Sequence, residues 1–279
     1  MKTYSGLCLA LIFLLLFSNC DTKKASAETE IEERKTVEMI TSYGTVTLEL
    51  YNETPLHRDN FIKLINENAY DSLLFHRVIQ NFMIQGGDPD SRKATADQVL
   101  GNGDLDYRVK AEFHPDLFHK RGALATARDE SLGRESSAMQ FFIVQGKVFN
   151  DSLLNHAESR INKFLARHYT INDSLYKELW LTMKTAIEDE NLELYRQLND
   201  SIDAMAETYD NFERYSIPES HRSVYKTIGG TPHLDQNYTV IGEVIDGMQI
   251  VDSIAGAQTN EMNRPISDIR ILSVQLKDE

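Results

Sequence analysis

From residue 148 to 217 the chain contains neither glycine nor proline. A stretch without breakers in which apolar residues recur at helical spacing has one economical solution, a set of amphipathic helices. Leu153, Ala157, Ile161, Phe164 and Leu165 form one stripe. Leu175, Leu179, Met183 and Ile187, followed by Leu194, Leu198, Ile202 and Met205, form another. The pattern predicts two or three helices, broken near residues 170–172 and 188–191. Residues 151–219 hold 14 acidic and 7 basic side chains, so this segment carries half of the formal net charge of −14.

The flanking sequence has a different character. Short runs of strand type lie at 37–40, 44–51, 73–87, 109–113, 122–127, 140–145, 239–244 and 269–276, with turn residues between them. Two helices interrupt this set. One starts at Thr54-Pro55, with Thr54 as N-cap, and ends near Asn68; the other is short and covers 247–255. Residues 89–103 read as a polar surface loop, and its lone Gly101-Asn102-Gly103 does not open a helix after a strand, which argues against a dinucleotide site. Many short strands with few helices predict a closed or nearly closed barrel. The fold class is mainly β with added α, and the helical segment is an insertion in a β protein.

The acidic balance argues against sequence-independent nucleic-acid binding, because phosphates would meet a mostly negative surface. At the N-terminus, Lys2 precedes an apolar run from residue 7 to 17 that stops at Ser18-Asn19-Cys20, the form of an export signal. A run ending at a cysteine resembles the lipobox of bacterial lipoproteins, which implies a signal peptide over 1–19, lipid on Cys20 and a flexible tether over 20–35. The expected place is the bacterial cell envelope, anchored to a membrane and facing the periplasm, with inner versus outer membrane left open. Cys8 lies in the signal, so with Cys20 lipidated the domain keeps no cysteine for a disulfide, metal site or nucleophile. The histidines show no metal-ligand spacing, and no metal or cofactor is expected.

Arg77 stands out inside an apolar run of strand type, because a buried cation costs several kcal/mol unless paired or employed. Its neighbour His76 is assigned to the opposite strand face and to a structural role. Phe82, Met83 and Phe142 taken alone would be ordinary core residues.

Four blocks, FHRVIQNFMIQGGD from residue 75, GALATAR from 122, QFFIVQ from 140 and TPHLDQNYTVIGEVIDGM from 231, together resemble the cyclophilin-type peptidyl-prolyl isomerases. The resemblance covers residues 36–147 and 225–278, leaving 148–224 as the insertion. It implies an eight-stranded antiparallel barrel capped by two helices, without metal or organic cofactor. It also implies isomerisation of X-Pro bonds, with Arg77 favouring the twisted amide and no covalent intermediate. Phe82, Met83 and Phe142 would line the proline pocket with Leu234 at its edge, while Gln85 and Gln140 bond substrate backbone or orient Arg77. Ala127 and Arg128 would present backbone groups to the residue before proline. Arg128, His233 and Tyr238 depart from the commonest family residues at their positions, which implies altered substrate preference. The implied partners are proline-containing unfolded or exported polypeptides. The rival readings are a proline-peptide-binding chaperone with incidental catalysis, and a structural lipoprotein that presents its helices to a partner. The insertion reads as a lid or client-binding arm, or as a decoration packing its stripe on the barrel.

Overall fold

The computed structural model describes residues 33–129 and 131–277; the signal segment, Cys20 and the tether up to residue 32 lie outside the described residues. The first two strands are β1 (Thr36–Thr41) and β2 (Gly44–Leu50), followed by α1 (Pro55–Asn66). Then come β3 (Arg77–Ile79), β4 (Met83–Gly86), β5 (Arg108–Val109), β6 (Ala123–Thr126), β7 (Ser136–Ser137) and β8 (Phe141–Val144). Four helices follow, α2 (Asp151–Asn172), α3 (Lys177–Glu188), α4 (Leu192–Thr208) and α5 (Glu219–Thr227). The chain ends with β9 (Val240–Asp246), α6 (Met248–Ala255) and β10 (Ile271–Leu276).

Eight strands form one curled antiparallel sheet in the order β10-β1-β2-β9-β6-β8-β4-β3, and β5 and β7 form a separate small ribbon. The two edges meet just ahead of their strands: Ser72 N–H donates to Ile271 O, Ile271 N–H to Leu73 O and Phe75 N–H to Ile269 O. Closure of this kind removes free edges, the main liability of an exposed sheet. The barrel interior is filled by the inward residues of alternating strands, among them Met39, Leu48, Ile84, Leu124, Phe141 and Ile143, with Phe61 and Leu64 of α1 and Val251 and Ile254 of α6 closing its ends.

β4, β6 and β8 are buried on both faces, which is why they read as nearly continuous apolar runs. Their outward residues, Met83, Ala123, Ala125, Phe142 and Val144, form a second cluster with Tyr51 and Val240. The barrel therefore has a filled inside and one apolar patch on its outside.

Several local expectations differ from the structure. The predicted strand at 109–113 shrinks to the two residues of β5. Thr54 occupies the N-cap of α1 but makes no capping bond. The carboxylate of Glu112 takes that role, accepting Leu56 N–H at 3.1 Å and His57 N–H at 3.0 Å. The run 148–217 holds three helices, as its pattern predicts, and a fourth, α5, follows just beyond it. The first stripe of the run is shifted in phase. Leu154, Ala157, Ile161 and Leu165 are buried, whereas Leu153 and Phe164 face solvent, as do Leu175 and Ile187 of the second stripe. Adjacent apolar residues at 153/154 and 164/165 fit a period of 3.6 equally well, and only the covering partner decides between them. That partner is Phe118, Phe149, Phe212, Tyr215, Ile217 and Tyr225, most of it the arm's own returning chain rather than barrel strands. A separate cluster of Ile171, Trp180, Met183 and Ile202 holds α3 and α4 to α2.

The arm leaves and rejoins the barrel at one point. Lys147 and Gly230 exchange backbone hydrogen bonds of 3.3 and 3.0 Å. A Cβ on Gly146 would lie 2.5 Å from Gly230, so this crossing admits only glycine pairs.

Candidate functional site

The outward patch is built by strand register. Arg77 pairs with Gln85, Gln85 with Phe142, Phe142 with Ala125 and Ala125 with Val240, so these five residues form one transverse row across β3, β4, β8, β6 and β9. Residues directly opposed across a ladder share a face. Met83 enters the row above, opposite Val144. Phe82 is carried over by the β3–β4 turn, in which Asn81 takes a left-handed φ of 61° and donates its N–H to Gln145 Oε1 at 2.6 Å.

Arg77, Phe82, Met83, Gln85, Ala127, Arg128, Phe142, Leu234 and Tyr238 surround a cleft of about 170 Å³. One end is apolar, with Phe82, Met83, Phe142 and Leu234, and the other holds the guanidinium. Tyr238 stands edge-on to Phe142 at 5.7 Å and lies under the Arg128 guanidinium, 5.3 Å from it. His233 does not reach the cleft rim; it stacks behind Phe82 at 5.5 Å. Burial, with nearby cations, pushes it down to about 4, so it is neutral at pH 7. Ala127 spends its N–H on Gln140 O at 2.9 Å, and its carbonyl accepts Ser137 N–H at 2.8 Å. That uses its only donor and leaves the carbonyl's second lone pair.

Arg77 is half-buried, and desolvation draws its pKa below the ordinary value. No carboxylate pairs with it among the described residues. Its Nη1 donates to Gln85 Oε1 at 3.2 Å, Gln85 Nε2 donates to Gln140 Oε1 at 3.0 Å, and Gln140 Nε2 donates to Gly101 O and Gly103 O at 2.9 and 2.7 Å. The loop that ends this chain is held by Asp88, whose fully buried carboxylate accepts Asp90 N–H and Gly101 N–H. Gly87, at φ +91°, lets β4 pass the backbone of Met139, whose carbonyl would lie 2.3 Å from a Cβ there. The Gly-Gly-Asp tail of the first block thus sets a relay that fixes the direction of the Arg77 fork.

His76 corrects the sequence reading. Alternation of faces holds only inside a regular strand, and β3 begins at Arg77. His76 precedes it, buried, and with Arg77 borders a neighbouring cavity of about 340 Å³. Neither ring nitrogen has a hydrogen-bond partner among the described residues, and burial pushes it down to about 4.

Sequence reasoning missed the support beneath Phe142. His119 stacks on that ring at 5.9 Å and contacts Asp235 through Nδ1 at 2.8 Å. Asp235 also accepts His119 N–H at 3.0 Å and the Tyr225 hydroxyl at 2.7 Å. All three are buried, and Tyr225 comes from α5 of the arm. The only available signal was polar residues inside apolar blocks, 116 positions apart for His119 and Asp235.

A one-ring apolar cleft beside an unpaired, oriented guanidinium on the outside of a barrel defines a peptide-binding site without a metal-ligand cluster among the described residues. The family model for "Cyclophilin type peptidyl-prolyl cis-trans isomerase/CLD" matches residues 36–276, and the chain belongs to that family of enzymes. A putative peptidyl-prolyl cis-trans isomerase of Staphylococcus haemolyticus is 28% identical over 244 residues, 87% of this chain and 91% of the relative. A putative bifunctional phosphatase/peptidyl-prolyl cis-trans isomerase of Streptococcus pyogenes is 30% identical over 241 residues, 85% of this chain; the chain spans only 38% of that relative. The crystal structure of a Cryptosporidium parvum cyclophilin type isomerase shares the fold, with a TM-score of 0.53 at 19% identity over 88% of this chain and 99% of the other. A second structure of that protein, in the presence of the dipeptide Ala-Pro, gives a TM-score of 0.52.

Proposed function

We propose that this protein accelerates cis-trans isomerisation of X-Pro bonds in exported polypeptides, with Arg77 stabilising the twisted amide. The barrier of about 18–20 kcal/mol is amide resonance, so no nucleophile is required. The apolar end of the cleft holds the prolyl ring, and Arg77 directs its donors at the amide as conjugation is lost. Lone-pair density then returns from the carbonyl to the prolyl nitrogen, and a fixed cationic donor directed at that nitrogen interacts best with that state. The observation that carries the reading is the Arg77–Gln85–Gln140 relay: a half-buried guanidinium oriented by neutral amides, with no carboxylate among the described residues to absorb its charge.

The exported clients and the membrane anchor rest on the sequence of residues 1–20, with lipid on Cys20. The test is the isomerisation rate of a short X-Pro peptide with soluble protein starting at Asp21, beside Arg77→Ala. A fast wild type and a slow folded variant support the proposal. A folded wild type no faster than buffer leaves a binding module in place of the enzyme.

A further inference from the structure

A second cleft, of about 330 Å³, opens between the loop after β6 and the arm helices α2 and α3. Arg128 and Tyr238 border both this cleft and the proline cleft. A chain seated at the first therefore passes the mouth of the second within two or three residues, at about 3.3–3.6 Å per residue.

On a protein of net charge −14, this cleft is locally basic. Arg167 is satisfied by Asp203 and by Asn199 at 2.9 Å, and Asp129 is taken by Arg108 at 2.7 Å. Arg134 is different. Its Nη1 donates to Gln236 O at 2.6 Å and its guanidinium lies 4.5 Å from the centre of the Phe113 ring, so both contacts are to neutral groups. The adjacent Glu135 carboxylate turns to the Ser131 hydroxyl. No carboxylate lies within ion-pair distance of Arg134 among the described residues, and its buried Nε–H has no acceptor. A buried donor left unpaired costs about 1–3 kcal/mol. Arg134 also sits at φ 55°, a left-handed conformation costing a non-glycine residue about 1–2 kcal/mol. The neighbouring His168 lies in the same field: burial, then Arg134 and Arg128, push it down to about 4. Two aromatic side chains, Phe164 and Trp180, line the arm side, Phe164 partly exposed and Trp180 buried.

We infer that this cleft binds the carboxylate of an Asp or Glu lying within three residues of the isomerised proline, with Arg134 as its charge partner and Phe164 and Trp180 against its stem. The inference rests on the isomerase reading and names a substrate class for it. A planar guanidinium with unused donors matches a carboxylate, and an acidic side chain supplies the acceptor that the site lacks.

The test uses the chain from Asp21 and X-Pro peptides carrying Glu, Gln or Lys in turn at each of three positions on either side of proline. At one position Glu should raise kcat/KM over Gln about fivefold to twentyfold through KM, the range for a charge-assisted bond in a half-open site. Arg134→Gln should abolish that preference while leaving the Gln peptide unchanged. Trp180 is the only tryptophan, so its fluorescence reads cleft occupancy without turnover. Saturable quenching or enhancement by the Glu peptide, weaker with Gln, supports the site even if no peptide is isomerised, an outcome that would sink only the catalytic reading. Glu no better than Gln at every position in both rate and fluorescence overturns the inference, as does a Glu preference that survives in folded Arg134→Gln.

Discussion

Replacing Arg77 by alanine separates catalysis from folding more cleanly than is usual for a buried charge. Breaking a buried ion pair ordinarily strands a partner, at about 3–5 kcal/mol. Here the partner is the neutral Gln85, which keeps its 3.0 Å bond to Gln140. The variant loses a desolvated cation and one 3.2 Å hydrogen bond, so stability should change by less than about 1 kcal/mol and Tm by less than about 4 °C. The transition state loses much more. Preorganised donors aimed at developing charge are worth about 2.7–4 kcal/mol, and partial solvent access at this half-open cleft lowers that to about 2–3 kcal/mol. At 1.36 kcal/mol per decade, kcat/KM falls about 30-fold to 150-fold, mostly in kcat. Peptide exchange spectroscopy at several substrate concentrations gives the rate, and circular dichroism gives Tm. Arg77→Lys should recover part of the loss, because charge returns without the fork. A folded Arg77→Ala within threefold of wild type would refute the reasoning, since the cation would then be structural.

Four further outcomes follow from the structure. The rate should be flat from pH 6 to 8: Arg77 stays protonated, and His76 and His233, held down to about 4, stay neutral, so a bell-shaped profile in that window would contradict the site's electrostatics. Stability should fall as pH drops from 6.5 towards 4, because the unfolded chain binds protons that buried His76 refuses, with a ceiling of about 3 kcal/mol from this residue; urea titrations at pH 7 and 5 measure it. Tyr225→Phe should cost about 1–3 kcal/mol by depriving buried Asp235 of a donor, and should raise KM by loosening His119 beneath Phe142; unchanged stability and KM would exclude that support role. Gly87→Ala should be among the most damaging single changes, since its Cβ would meet Met139 O at 2.3 Å, and thermal melting would show a native-like Tm if this is wrong.

The barrel was legible because β4, β6 and β8 announce themselves through local pattern: alternation, apolar runs and turn residues at their ends. The site residues from Arg77 to Phe142 came with the resemblance carried by the four blocks, while the row that joins them is set by cross-strand register. Contacts made across long sequence gaps were not legible. Glu112 caps a helix through His57, 55 residues earlier, and nothing in either segment points to the other. Asp235, His119 and Tyr225 find one another only after the arm has returned. The phase of the first arm stripe failed for the same reason, because burial of Leu154 over Leu153 depends on residues 212–225. The orphan donor of Arg134 is visible only in three dimensions, since in sequence it is one arginine in a polar loop.

The Lys147–Gly230 crossing has a consequence for the order in which the chain folds. Strand β9 must find β6 across more than a hundred residues, Ala123 opposite Glu243. Extending a loop from about ten to about eighty residues costs about three doublings, close to 2 kcal/mol of closure entropy. The arm's helices pack largely on one another, so the arm can form from local contacts before the sheet exists and bring residues 147 and 230 together. The barrel then closes over a short tether rather than a long one. An arm kept from folding, by charges at Met183 and Ile202 for example, would slow barrel formation by up to about thirtyfold without touching a strand. The helices serve in this sense as an internal assembly guide, one that remains attached to its product.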